Sequence, residues 1–246
     1  MSLGAVLFDF DGLILDTESS EFHSVGLVFA EHGVVLDRSE WQGIIGTADH
    51  PHWAELLERA LGRPLTDRDA VIVRHREHHR VSVAAETVRP GVVELLDEAA
   101  AAGVPAAVAS SSPHSWVAGH LDRLGLRRRF AALVTRDDLG GDRSRTKPAP
   151  DVFLAAAGRL GVDPGACVVL EDSPHGVAGA RAAGMAVVAV PGPMTTGLDF
   201  AAADLVVASL ADVDLDRLRR VRHPATGTGG QQDLPAAGSP ASRHAE

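Results

Sequence analysis

The sequence predicts an α/β protein: a parallel sheet with helices on both faces, carrying an inserted all-helical segment. Three observations lead there. From residue 89 onward, short apolar runs alternate with helix-length stretches that stop at a glycine. Those runs are apolar throughout rather than at every second position, as expected of strands covered on both faces. Between residues 18 and 88 only helical periodicity is found, with no buried strand.

Ala5 to Phe8 reads as the first strand, ending abruptly at Asp9-Phe10-Asp11-Gly12. From Glu18 to about Glu31, Phe22, Val25, Val28 and Phe29 fall at helical spacing, and Gly33 supplies the stop. A short helix from Ser39 closes at Gly46, and one from His52 to Leu61 carries Trp53, Leu56, Leu57 and Ala60 on one face. Thr66-Asp67-Arg68-Asp69 reads as a capping box, with Asp in place of Glu, opening a helix to Val81. After Arg89-Pro90-Gly91, helices are expected over residues 92–102, 114–124, 150–160 and 176–183. The intervening strands fall at 104–109, 130–134, 166–170, 186–190 and 204–207. Strands and helices alternating over such short connections imply right-handed crossovers and a Rossmann-like parallel core. The expected division is a core of 1–17 and 89–222, a helical cap of 18–88, and a disordered tail of 223–246 that holds almost no large apolar residue.

A chain of 246 residues with 45% hydrophobic residues can bury one large core or two smaller ones. Its net charge of -10 argues against nucleic acid as a partner, because phosphate backbones are met by basic surfaces. With no signal segment and no bilayer-length apolar span, no membrane partner is expected and a cytoplasmic location is the simplest reading. A monomer is the simplest assembly. The lone cysteine, Cys167, lies in an apolar run and reads as buried packing.

Chemistry gathers at the strand ends. The first gives Asp9 and Asp11, the second Ser110 with Ser111 and Ser112, the third leads to Lys147-Pro148-Ala149-Pro150, and the fourth gives Glu171-Asp172. In a parallel sheet these ends share one edge, where ligands of open α/β folds bind. Carboxylates gathered there repel one another unless a cation sits among them or one is protonated. Asp9, Asp11 and Asp172 make an oxygen-rich set suited to Mg²⁺, which takes few protein carboxylates and accepts a phosphate oxygen. Ser110 offers a hydroxyl, and Lys147 a point charge suited to a phosphoryl oxygen. Together these groups describe phosphoryl transfer through an aspartyl-phosphate. Plainer readings exist for each: Ser110 or Ser112 as a helix cap, Lys147 as a solvated loop lysine, Glu171-Asp172 as an acidic helix N-terminus. They would all have to hold at once.

The four stretches Asp9-Phe10-Asp11-Gly12 with Asp16-Thr17-Glu18, then Ser110, Lys147-Pro148-Ala149-Pro150, and Glu171-Asp172-Ser173-Pro174 resemble the motifs of the haloacid dehalogenase-like hydrolases. The branch resembled has a helical cap inserted after the first motif and contains β-phosphoglucomutase-like phosphatases. The resemblance implies that Asp9 attacks phosphorus, while Asp11 protonates the leaving oxygen, activates water and lends its carbonyl to the metal. Ser110 and Lys147 would hold phosphoryl oxygens, with Ser111 beside them and the amides of Phe10 and Asp11 completing the cradle. Asp172 would ligate Mg²⁺ together with Asp9 and Asp11, and Glu171 would ligate or orient. The substrate implied is a small phosphorylated metabolite.

Dehalogenase chemistry is disfavoured because Asp11 is present. A sugar-phosphate mutase is the main rival, but Glu21 stands where the mutase-like pattern places a histidine, and Ala48-Asp49 replaces an expected basic residue. A non-catalytic Mg²⁺ or phosphoryl-binding module is the third reading. The cluster Arg74, His75, Arg76, His78, His79 and Arg80 is read as a solvated face of the cap helix from which a few residues could meet substrate anions, His50, His52 and Trp53 as a loop able to touch substrate, and Trp116 as core packing rather than a stacking platform.

Overall fold

The computed structural model describes residues 3–46, 48 and 50–222. The expected tail over 223–246 lies outside the described residues, as do Thr47 and Asp49. Six parallel strands form the sheet: β1 (Ala5–Phe8), β2 (Ala106–Ala109), β3 (Ala132–Val134), β4 (Cys167–Glu171), β5 (Ala186–Ala189) and β6 (Leu205–Val206). Their order is β3-β2-β1-β4-β5-β6, with the chain reversing direction of growth beside the central β1. Phe8 pairs in register with Val108 on one side and Leu170 on the other, so Asp9, Ser110 and Glu171 emerge at one edge.

Strand side chains alternate between two apolar layers. Val6, Phe8, Val108, Val168 and Leu170 pack against α5 (Val92–Ala101), α6 (His114–Arg123) and α9 (Leu215–Arg222). Ala5, Leu7, Ala107, Val169 and Val187 face α7 (Asp151–Leu160) and α8 (Pro174–Ala182), whose small residues allow close approach. The helix α9 has no counterpart in the sequence expectations. It is only eight residues long and arginine-rich, and buries little beyond Leu215 and Leu218.

The helical segment comprises α1 (Thr17–Glu31), α2 (Arg38–Gln42), α3 (Trp53–Leu61) and α4 (Arg68–Ala84), with a separate apolar cluster built from Val25, Phe29, Trp41, Trp53, Leu57 and Val71. The start of α4 corrects the expected capping box. Asp67, not Thr66, is the N-cap, and its carboxylate accepts the Ala70 N–H at 2.9 Å. Likewise α8 starts at Pro174 rather than Gly176. Ser173 caps it, and proline at the first helical position loses no hydrogen bond.

Two connections tie this segment to the sheet edge. Leu15 and Val88 form an antiparallel bridge, and the Arg89 N–H donates to Ile14 O at 2.9 Å. The Arg89 guanidinium also donates to Gly12 O. Farther out, Gln42 donates to Met194 O at 2.8 Å and His175 Nδ1 lies 2.8 Å from Ile45 O. The segment therefore stands over the carboxyl ends of the strands.

Candidate active site

β1 delivers Asp9 into a nearly closed position, 6% exposed, with its N–H donating to Leu170 O. Directly beneath it lies the fully buried Lys147, whose ammonium donates to Asp9 Oδ1 and to Glu171 Oε1. Glu171 is fully engaged. Its Oε2 accepts the N–H groups of Asp172 (3.1 Å) and Ser173 (3.2 Å) and the Ser173 hydroxyl (3.1 Å). Asp172 is equally buried, but its Oδ2 has no donor among the described residues. Asp9, Glu171 and Asp172 each offer an oxygen within 4.8 Å of the others. Lys147 is thus no solvated loop lysine, and Glu171-Asp172 is no exposed helix terminus.

Three carboxylates around one ammonium would carry a formal charge of -2 if all were ionised, in a region almost wholly shielded from solvent. Burial pushes the Asp9 carboxyl from 3.8 up to about 8; Lys147 opposes that rise, while Glu171 and Asp11 add to it. Burial likewise holds the Asp172 carboxyl well above its ordinary value, with Asp9 and Glu171 adding to it. An orphaned buried oxygen beside two further carboxylates fits a small hard divalent cation, which would restore the ionised forms. The backbone leaves room for such an arrangement only at glycine. Gly12 has φ of +80°, and a Cβ there would stand 2.0 Å from Asp172 Oδ2.

Asp11 is held differently. Its Oδ1 accepts from Thr17 Oγ1 and Trp116 Nε1, both at 2.8 Å, and its Oδ2 accepts from Ser112 Oγ at 2.6 Å. Ser110 Oγ lies 3.5 Å from that Oδ2 and accepts the Ser112 N–H at 3.0 Å. Neither serine caps α6, whose N-cap is Pro113. The Phe10 side chain is buried in the core, so only its backbone can serve a ligand; the Phe10 and Asp11 N–H groups have no acceptor among the described residues. Ser111 Oγ accepts the Lys147 N–H at 3.3 Å, linking the second and third strand ends.

Above this floor is a cavity of about 420 Å³ lined by Asp9, Asp11, Ser110 and Ser111 from the sheet edge and by Glu18, Glu21 and His79 from the helical segment. All three tryptophans of the chain, Trp41, Trp53 and Trp116, also line it, as do His50 and His52. Arg136 and Arg143 contribute cationic groups to its rim. Two sequence expectations are corrected here. Arg74, Arg76, His78 and Arg80 do lie on a solvated face of α4, but His75 and His79 turn inward: His75 is 6% exposed, and the two place Nε2 at 3.3 and 3.1 Å from Glu21 Oε2. Burial pushes the Glu21 carboxyl up, but the two imidazoles outweigh it, and the net shift is downward. Trp116 is more than core packing, since its indole N–H reaches Asp11. Nothing in the motif spacing marks Trp116, Ser112 or His79; helical phase alone puts His75 and His79 on one face of α4.

A family model described as haloacid dehalogenase-like hydrolase matches residues 3–184. The chain belongs to that family of hydrolases. YhcW of Bacillus subtilis, provisionally named a phosphatase, is 40% identical over 211 residues, covering 86% of this chain and 94% of that one. Among solved structures, CbbY from Rhodobacter sphaeroides in complex with phosphate aligns with a TM-score of 0.67 at 29% identity, covering 85% and 96% of the two chains. A structure from Thermotoga maritima, provisionally described as a β-phosphoglucomutase, aligns at 0.71 and 28% identity, covering 90% and 100%.

Proposed function

We propose that the protein is a Mg²⁺-dependent phosphatase that hydrolyses a small phosphorylated metabolite through an aspartyl-phosphate on Asp9. One observation carries this reading: Asp9 faces a substrate-sized cavity while the Lys147 ammonium, shared with Glu171, donates to it and Asp172 lies beside it. Membership of the family and the phosphatase name of YhcW support it. In this reading 1–17 and 89–222 form the catalytic core, and 18–88 is a cap that shapes the leaving-group pocket.

Asp9 has one oxygen on Lys147 and keeps Oδ2 for attack on phosphorus. As the new O–P bond forms, the bond to the leaving oxygen breaks, and Asp11 passes that oxygen a proton from its Oδ2, the oxygen nearest Ser110. In the second half Asp11 takes a proton from water, which attacks phosphorus, releases phosphate and frees Asp9. Ser110, Lys147 and the amides of Phe10 and Asp11 hold the phosphoryl oxygens, and Ser111 orients the Lys147 loop. Asp9, Asp172 Oδ2 and the Asp11 carbonyl would hold the metal, with Glu171 orienting Lys147 rather than ligating, because both its oxygens are occupied. A Mg²⁺ held there would supply positive charge against the charge of the phosphoryl group. Most of the acceleration is electrostatic, because a general acid contributes only about 10²–10⁴-fold.

The direct test is phosphate release from p-nitrophenyl phosphate and a panel of phosphorylated metabolites, with Mg²⁺ or EDTA. Asp9→Asn is expected to lower turnover by at least about 10⁴-fold while the protein stays folded; turnover near wild type would exclude a covalent route. A second reading, a sugar-phosphate mutase, is favoured by the imidazoles of His52 and His79 in the cavity wall. It predicts slow phosphate release and a required bisphosphate activator.

A further inference from the structure

We infer that Trp116 is a positioning residue for proton transfer, fixing the Asp11 carboxylate through the indole N–H and transmitting to it the seating of the helical segment. The inference rests on the reading of Asp11 as the acid and base of the reaction.

The two oxygens of Asp11 have separate surroundings. Oδ1 accepts from Thr17 Oγ1 and from the Trp116 indole N–H, each at 2.8 Å, and only the second of these donors cannot turn into an acceptor. Oδ2 faces two hydroxyls, Ser112 at 2.6 Å and Ser110 at 3.5 Å. A hydroxyl can rotate from donor to acceptor when the carboxyl gains a proton, whereas an indole N–H can only donate. The proton must therefore travel on Oδ2, and Oδ1 is the anchored oxygen. Of its two anchors, Thr17 is a rotor at the start of α1, while the indole is rigid and its direction is set by what packs on its faces.

Those faces tie Trp116 to both halves of the molecule. His79 of α4 stacks on it with centroids 5.2 Å apart and planes at 20°. His120, one turn along α6, meets its edge at 4.3 Å and 73°, and itself stacks on Phe10 at 6.2 Å. On the other side, His79 stacks on His75 at 5.7 Å, and His75 lies 4.7 Å from Trp53. A continuous run of rings thus leads from α3 and α4 through Trp116 to the residue between Asp9 and Asp11. If α4 moves away, Trp116 loses the ring that orients it, and Asp11 loses its one rigid donor. Proton transfer is in this way tied to a seated helical segment.

A residue that positions the acid should matter in proportion to how much the leaving group needs a proton. The test compares kcat/KM for phenyl phosphate and p-nitrophenyl phosphate, two esters of similar shape whose leaving groups differ in basicity. Trp116→Phe keeps the ring and removes the N–H. It is expected to lose about tenfold on phenyl phosphate, the scale of one hydrogen bond to a charged group, and less than about threefold on p-nitrophenyl phosphate. His79→Ala keeps the N–H but frees the ring, and should show the same asymmetry at about a third of the size on phenyl phosphate. Equal losses on both esters, or no loss on either, overturn the inference, and a thermal melt identifies any variant that is merely unfolded. Should Trp116→Phe fail to fold, His79→Ala decides by the same criterion. Asp11→Asn separates the two levels of the argument: if it too shows no preference for the better leaving group, it is the role of Asp11 that fails.

Discussion

The floor and the wall of the cavity are built on opposite principles. The floor, Asp9 with Lys147, Glu171 and Asp172, comes from the residue just past β1, the last residue of β4 and the one after it, and the turn before α7, and its charged atoms are almost wholly shielded from solvent. The wall, Glu18, Glu21, His79, Trp53 and Trp116, with His75 packed behind it, comes mostly from α1, α3 and α4 and is assembled from rings and two carboxylates. In the floor each charge depends on its neighbours, and removal of one strands the rest in a low-dielectric site. In the wall the contacts are ring faces and imidazole–carboxylate pairs, and only the Trp116 N–H reaches down to Asp11. In the proposed reading, chemistry falls to the part whose charges fix one another and selectivity to the part built from rings.

Lys147→Met should break the floor outright. It leaves Asp9 and Glu171 buried without their shared cation, so a loss of about 3–5 kcal/mol in unfolding free energy is expected along with turnover at background level. Urea unfolding and a phosphate-release assay measure the two effects. A variant as stable as the parent would mean that the ammonium is not the group balancing the floor.

A second prediction concerns pH in the absence of metal. The Asp9 carboxyl moves from 3.8 up to about 8, chiefly through burial, so the folded chain holds this proton more tightly than the unfolded one. The associated stabilisation is complete below pH 3.8 and is lost as pH rises through about 8. Melting temperature in EDTA should fall across that window, and Mg²⁺ should restore most of the loss at its upper end. A melting temperature that climbs with pH under EDTA contradicts the assignment.

The wall should respond more mildly. Glu21→Gln removes the charge held between two imidazoles. It should change kcat/KM by no more than about tenfold, with the sign depending on the substrate, while p-nitrophenyl phosphate turnover stays within about threefold. A uniform collapse across all substrates would move Glu21 from the wall into the floor.

The same contrast explains what could be read in the sequence. The floor was legible because a parallel sheet brings its strand ends to one edge, so Asp9, Ser110, Lys147 and Glu171-Asp172 could be gathered without knowing any packing angle. Their chemistry is also unusual enough to stand out from a background of solvated turns. The wall depended on how α4 docks against α1 and α6, which no periodicity encodes. His75 and His79 look like members of an exposed, arginine-rich face until Glu21 is placed beside them. Trp116 reads as one more apolar residue on α6, since its role comes from a single N–H pointing at Asp11. Helix α9 was missed for a simpler reason: two buried leucines are too few to establish a period. The cap of α4 was misplaced by one residue, since Thr66 and Asp67 are both good N-caps and only the backbone decides between them.

The central claim, that Asp9 carries the phosphoryl group between its two transfers, is open to one direct measurement. Enzyme mixed with labelled p-nitrophenyl phosphate and Mg²⁺ is quenched in acid within a turnover, digested and mapped by mass spectrometry. The account predicts label on the peptide containing Asp9, absent in Asp9→Asn and accumulating in Asp11→Asn, where hydrolysis is the impaired step. Label on any other residue, or full turnover with no labelled protein at any time, contradicts it.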